Sequence, residues 1–320
     1  MGRYVVGRLV QAVPLLVAVL VLNFVLVHLA PGDPIYLLAG QSGDAAYYAE
    51  MRARLGLDQP LPEQLARYLL AAAQGNFGYS FAYAQPVLPV ILARVPATLL
   101  LMGSGLGIAT VTGLWLGVAA ARRSATRLDG LVSVGTLLGS SMPSFWLGQL
   151  LLIVFAAGLG IFPVQGMTTA RGGLHGPAAV LGILWHLVLP AVTLGLLQLA
   201  LMMRLTRTAL REALTEDYVR TAESKGLAPR DVLYRHALRN ALLPVVTVVG
   251  GHVGTLLAGA VLVETIFAWP GVGRLLYDAT LARDYPLLLA IFLVVSASVV
   301  LVNLLTDLAY AVLDPRVRLG

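Results

Sequence analysis

The chain has 320 residues, of which 58% are hydrophobic and only 12% charged, about half the charged fraction of an ordinary soluble domain. That balance excludes a water-soluble globular protein and places the chain among integral membrane proteins. Its net charge of +6 is read as arginine flanking membrane spans on the cytoplasmic side, not as a nucleic-acid surface, and the lack of cysteine excludes a disulfide framework, a thiolate metal site and a cysteine nucleophile.

A bilayer core takes about 20 apolar residues in helical form, and the ionised residues mark where such stretches end. Arg8 to Asp33 encloses a first span. Residues 9–30 are too long for a signal-peptide core, and His28 sits badly at the −3 position of any cleavage after Ala30, so this span is expected to stay uncleaved. Within the outer segment, LPEQLARYLLAAAQG (61–75) reads as an amphipathic helix. Pro62 suits its first position, Leu65, Leu69 and Ala72 form an apolar stripe, and Gly75 stops it. It either lies on the outer membrane surface or helps to dock an extracytoplasmic partner.

Arg94 to Arg122 encloses a second span. Between Asp129 and Arg171 lie 41 uncharged residues, read as one helix to about Ala157 and then the Gly/Pro-broken loop GLGIFPVQGM. LGILWHLVLPAVTLGLLQLALMM, ending before Arg204, is the fourth span. Arg239 to Glu264 encloses the fifth and Asp284 to Asp307 the sixth. With the amino terminus inside, the basic residues at 3 and 8, at 122–127, at 204–239 and at 316–318 all fall on the cytoplasmic side, and these are 15 of the 22. A double crossing of 130–170 would place the 204–239 segment outside and break that bias.

Residues 204–239, RLTRTALREALTEDYVRTAESKGLAPRDVLYRHALR, hold 13 charged residues in 36. Glu216, Asp217 and Tyr218 open a short helix with acids at its positive end. Gly226 can take the left-handed conformation that closes it, and Pro229 suits the first turn of a second helix. There Val232, Leu233, His236, Ala237 and Asn240 share one face, with Asp231 four residues before Arg235. A loop serving only the positive-inside bias needs a few arginines, as 122–129 illustrates. Thirty-six residues with such punctuation fit a helix presented to a groove on a partner protein.

Inside the spans, His186, His252 and Asn303 are polar, while Glu264 and Asp307 sit near span ends, where an interfacial place is expected. His252 and Asn303 either line a solute path or hydrogen-bond between helices. Gly250, Gly254 and Gly259 give the fifth span a small-residue face for close packing, and Pro190 can kink the fourth. No catalytic constellation is present. A phosphate-binding P-loop needs Lys followed by Ser or Thr, but the only lysine, Lys225, is followed by Gly226. A proton- or sodium-driven secondary transporter is the rival reading, with no mid-span carboxylate or internal repeat in the sequence to favour it.

The stretch DYVRTAESKGLAPRDVLYRHALRNALLP (217–244) resembles the signature cytoplasmic loop of type I ABC importer permeases, in the version of dipeptide/oligopeptide/nickel systems. Ala222, Gly226 and Leu238 match the general pattern strictly. Arg220-Thr221-Ala222 and His236-Ala237-Leu238-Arg239-Asn240 resemble the form found in one of the two permeases of peptide systems. PGDP (31–34), LGLDQPLPEQ (55–64), FGYSF (77–81), RVPATLLL (94–101), ETIFAWPGVGRLLYDA (264–279), RDYPLL (283–288) and LVNLLTDLAYAVLDPRV (301–317) are similar to the same family, in the same order.

The resemblance implies an all-α integral membrane protein of type I importer permease (MetI-like) architecture, with six transmembrane helices and both termini cytoplasmic. Residues 1–30 would form the amino terminus and first span, 31–93 an extracytoplasmic segment, 94–313 a five-helix core and 314–320 a tail. Residues 204–241 would be the coupling segment of that core. Its implied ATPase-coupling residues are Tyr218, Arg220, Thr221, Ala222, Lys225, Gly226, Leu227, Arg235, His236, Leu238, Arg239 and Asn240. The implied partners are a homologous second permease, two cytoplasmic ABC ATPases that bind ATP and magnesium, and an extracytoplasmic solute-binding protein, all in or on the membrane of a prokaryote. This chain would hold no cofactor, metal or catalytic residue. The implied cargo is a dipeptide or short oligopeptide, with nickel, glutathione or another small solute as alternatives. The lack of cysteine and the five histidines argue weakly against a dedicated metal path.

Overall fold

A computed structural model of the chain describes residues 2–29, 44–122, 127–168, 175–251 and 253–313. They are almost wholly helical and fall into two compact units, one built on Met1–Pro96 and Gly271–Leu305, the other on Ala97–Pro270 and Thr306–Val317.

The first unit begins with α1 (Gly2–Leu29), followed by α2 (Ala45–Leu55) and α3 (Leu61–Ala73). Asp44 caps α2, accepting a hydrogen bond from Tyr47 N at 2.8 Å, and Gly56 closes it at φ 66°. The amphipathic helix read from the sequence is α3, with Pro62 in its first turn and Gly75 beyond its end at φ 74°. Its half-buried stripe faces α1: the Tyr68 and Phe24 rings stack at 6.0 Å, and Gln64 Oε1 lies 3.3 Å from His28 Nε2. Burial pushes the Tyr68 phenol up to about 12, and its hydroxyl finds no hydrogen-bond partner among the described residues. A two-stranded hairpin, β1 (Tyr79–Ser80) and β2 (Gln85–Pro86), then leads into α4 (Val87–Arg122). Val87, Val90 and Ile91 pack with Val272, Leu275 and Ala279 of α12 (Val272–Leu281) and with Leu287 and Ile291 of α13 (Tyr285–Leu313).

The second unit contains the rest of α4, α5 (Arg127–Ser141), α6 (Ser144–Leu151, continuing as a π turn to Gly158) and α7 (Pro177–Thr215). The third apolar segment is therefore not one helix. Pro143 breaks it, because a residue with no N–H and a fixed φ starts a new helix more readily than it continues one. The helix of the fourth span continues past Arg204. Thr206, Leu210 and Ala213 recur at helical spacing and are buried, so α7 continues to Thr215. Beyond it come the charged segment, α10 (Leu238–Gly251) and α11 (Val253–Ile266). Among the described residues, four helices are long and apolar enough to cross a membrane: Val6–Leu26, Val87–Arg122, Pro177–Thr215 and Tyr285–Leu308.

Close helix packing in this unit rests on a stripe of α4. Gly105, Ala109, Gly113 and Gly117 recur every four residues. A Cβ added at Gly113 would lie 2.5 Å from Met202 Cβ, and one at Gly117 2.6 Å from Thr206 Cβ. The sequence pointed to the glycines of the fifth span instead. Of these, Gly259 makes only ordinary contact, its added Cβ falling 3.4 Å from Leu194. What surrounds Gly250 and Gly254 lies outside the described residues.

Candidate functional site

The charged segment folds as two short helices on a buried seat. The first, α8, spans Asp217–Ser224. Gly226 follows at φ 74°, its N–H bonding Glu223 O at 2.9 Å while Leu227 N bonds Ala222 O at 3.4 Å. That pair of bonds is a Schellman closure, and it demands a left-handed residue where Gly226 stands. The second, α9, starts at Pro229 and widens into a π turn over Val232–Ala237.

The apolar side of this helix pair is turned inward. Val219, Ala222, Val232, Leu233 and Ala237 are buried in one cluster with Leu210 and Ala213 of α7 and with Val118 and Ala121 of α4. Two departures from the sequence reading follow. The apolar face is consumed within the chain, so it is not the face offered to a partner. Asn240 is exposed and Ala241 buried in its place, because the π turn shifts the helical phase by about one residue.

What remains outside is polar, with apolar tips. Tyr218, Leu227 and Tyr234 are exposed at 36%, 40% and 44%. Arg220 lies 3.5 Å from Asp217, and Arg235 3.4 Å from Asp231. Thr221 is exposed, its hydroxyl bonding Asp217 O at 2.9 Å, and Lys225 and Arg239 are exposed. His236 and Leu238 are half-buried. Of the twelve coupling residues implied by the resemblance, Ala222 alone is buried.

His252 lies outside the described residues. Asn303 is exposed on α13. His186 is buried at 7%, with Nδ1 2.8 Å from Gly182 O one turn back. Glu264, two residues before the end of α11, is fully buried and accepts a hydrogen bond from Thr98 Oγ1 at 2.7 Å. Beside it Trp269, also fully buried, donates from Nε1 to Ala97 O at 2.8 Å.

A second polar knot lies in the first unit. Asp284 is 2% exposed, with Oδ2 accepting from Ser80 Oγ at 2.6 Å and Ala82 N at 3.0 Å, and Oδ1 accepting from Leu287 N at 3.3 Å. The sequence reading did not single out Ser80, Asp284, Thr98 or Trp269. The signal was present in the family-like blocks: 77–81 meets 283–288, and 94–101 meets 264–279. Among the described residues, no group of three His, Cys, Asp or Glu side chains is placed to hold a metal ion.

Residues 113–319 match the family described as the inner membrane component of binding-protein-dependent transport systems, and residues 1–102 match the amino-terminal part of such membrane components. The chain is 44% identical over 321 residues, with 99% of both chains covered, to a protein of Brucella suis biovar 1 (strain 1330) described as a peptide permease. It is 42% identical over 335 residues, again with 99% of both covered, to the di/tripeptide transport system permease of Pseudomonas aeruginosa (strain UCBPP-PA14). It is 40% identical over 318 residues, with 99% of both covered, to the glutathione transport system permease of Salmonella paratyphi A. Among solved structures, a chain of the inward-facing MetNI methionine ABC transporter superposes with a TM-score of 0.56 at 17% identity, covering 70% of this chain and 96% of that one. That likeness is one of fold. On these matches the chain belongs to the binding-protein-dependent transport system inner membrane components, the multi-pass inner-membrane permease subunits of ABC transporters.

Proposed function

We propose that this permease forms, with a homologous second permease, the membrane path of an ATP-driven importer of dipeptides or short oligopeptides. An extracytoplasmic binding protein delivers the solute. Two cytoplasmic ATPases bind ATP and magnesium and couple to this chain through residues 217–240. Six passes with both termini inside supply the topology: four long helices, the pair α5–α6 as one span, and residues 238–266 as another. In this reading 31–93 faces outward, 94–313 is the transport core, 314–320 is a cytoplasmic tail, and His252 and Asn303 are candidates for the solute path.

The observation that carries the reading is the seat of the charged segment. A helix pair locked by a Schellman turn and bolted through five buried apolar residues onto α4 and α7 transmits a push to those helices, which a solvated loop cannot do. The cargo class rests on the relatives, named for peptide, di/tripeptide and glutathione transport. Those solutes share an amide backbone and a free carboxylate.

The test is to tag the chain in its native membrane, extract it gently, identify what co-purifies and reconstitute the assembly in liposomes. Recovery of a second permease with ATPases, and uptake of a dipeptide that stops without ATP, is the expected result. A chain that emerges alone and moves peptide on a proton or sodium gradient overturns the proposal.

A further inference from the structure

The outer surface of α9 carries a feature the coupling role does not by itself require. Arg230, Asp231, Tyr234 and Arg235 line a recess of about 480 Å³ on the outer surface of α9. Residues 230 and 234, and 231 and 235, are four apart and so stand one above the other on neighbouring rows of the helix surface. Arg230 and Arg235 thus border one hollow from opposite corners. Arg235 turns its Nε edge to Asp231 Oδ1, which leaves its two terminal nitrogens as outward donors. Arg230 has no acidic partner among the described residues. Tyr234, 44% exposed, supplies an apolar wall and a hydroxyl. Two guanidinium groups against a single carboxylate leave the recess with a net positive charge, and a planar guanidinium matches a carboxylate in a bidentate pair.

We propose that this recess receives an acidic side chain, Asp or Glu, from the partner ATPase, with Arg230 and Arg235 as its cationic walls and Tyr234 as its apolar one. The proposal rests on the coupling reading above and adds the chemistry of recognition to it. Charge complementarity favours an anionic occupant. Depth favours a protein over an anionic lipid headgroup. Arg239, nine positions after Arg230, is the last ionised residue before α10 turns apolar. Even at the reduced rise of a π turn that separation is about 10 Å or more, beyond a headgroup layer about 5–8 Å thick.

The experiment uses the whole transporter, purified through a tag on this chain. A photoreactive p-benzoylphenylalanine replaces Tyr234 in one sample and Leu227 in another, and cross-linked products are mapped by mass spectrometry. In parallel, ATPase retained on the tag is measured for Arg230→Gln, Arg230→Glu and Arg235→Glu, with Arg122→Glu as the control for inside charge and elution profiles checking the fold. We expect adducts from position 234 to an ATPase segment bearing Asp or Glu. We also expect each charge reversal to lower retention at least about tenfold, the neutral variant to fall between, and Arg122→Glu to stay within about twofold. An adduct from 227 but none from 234 overturns the recess while leaving the coupling reading intact. Adducts from 234 to lipid alone assign the recess to a headgroup and overturn the proposal. No ATPase adduct from either position overturns both, and an equal loss in Arg122→Glu reduces the recess to general charge.

Discussion

Replacing Gly226 tests the coupling turn through its backbone alone, because a Cβ added there meets nothing within 4 Å. An L-residue held at φ 74° costs about 1–2 kcal/mol, and asparagine, which tolerates that region, costs less. Proline cannot reach it, since its ring fixes φ near about −65°. The proline variant also loses the 2.9 Å bond from Gly226 N to Glu223 O and, with the turn displaced, the 3.4 Å bond from Leu227 N to Ala222 O. At about 1 kcal/mol each, its total is at least about 3–4 kcal/mol, or two to three powers of ten in the population of the native turn. The assay is peptide taken up per ATP hydrolysed in liposomes containing the full transporter. Gly226→Asn is expected near the parent, Gly226→Ala modestly reduced, and Gly226→Pro uncoupled by about tenfold or more with hydrolysis and membrane insertion retained. Normal coupling in the proline variant, or equal losses for alanine and proline, refutes the reasoning.

Four further substitutions probe packing and polar knots. Gly113→Ala forces α4 and α7 apart by about 1 Å and is expected to cost about 1–3 kcal/mol, read as a lower thermal midpoint in detergent. Gly107→Ala, where an added Cβ meets nothing within 4 Å, is expected to leave the midpoint unchanged or raise it. Ser80→Ala removes one of three donors from buried Asp284 and is expected to cost about 1.5–3 kcal/mol. The signature is faster proteolysis of the 77–86 hairpin, and an unchanged digestion pattern counts against the knot as an anchor. Tyr68→Phe deletes a buried hydroxyl without a partner and is expected to be neutral or to stabilise by about 1 kcal/mol. A clear loss of thermal midpoint means that the hydroxyl is satisfied after all.

Local punctuation was legible and long-range pairing was not. The start of α8 at Asp217, the left-handed turn at Gly226 and the restart at Pro229 each depend on one residue's own backbone preferences, and the structure has all three. The π turn was not legible, because Val232–Ala237 is spelled in ordinary helix formers and the extra residue is absorbed only when Val232, Leu233 and Ala237 must all reach the same buried cluster. Asn240 was placed on the wrong face for that reason. Glu264 stands near the end of α11, as its charge suggests, but its donor Thr98 comes from a distant part of the chain and no local pattern names it. The α4 stripe was visible as a spacing, but Gly103 and Gly107 offer competing faces, and only α7 decides among them.

The burial of the coupling segment changes what its partner must provide. Had the apolar face been offered outward, association would rest on area removed from water and would be insensitive to salt. With Val219, Ala222, Val232, Leu233 and Ala237 already buried, the surface left for contact carries four arginines, one lysine, the exposed acids Glu216, Asp217 and Glu223, and a few exposed aromatic and aliphatic tips. Recognition through such a surface is electrostatic in its selectivity and in its rate of encounter. It weakens as the Debye length shortens from about 10 Å at 0.1 M to about 3 Å at 1 M salt. The rigid, salt-insensitive half of the joint is then the seat within this chain, and the reversible half is the charged rim. That division suits the coupling role proposed for residues 217–240, in which the segment follows an ATPase without unfolding from its own helices.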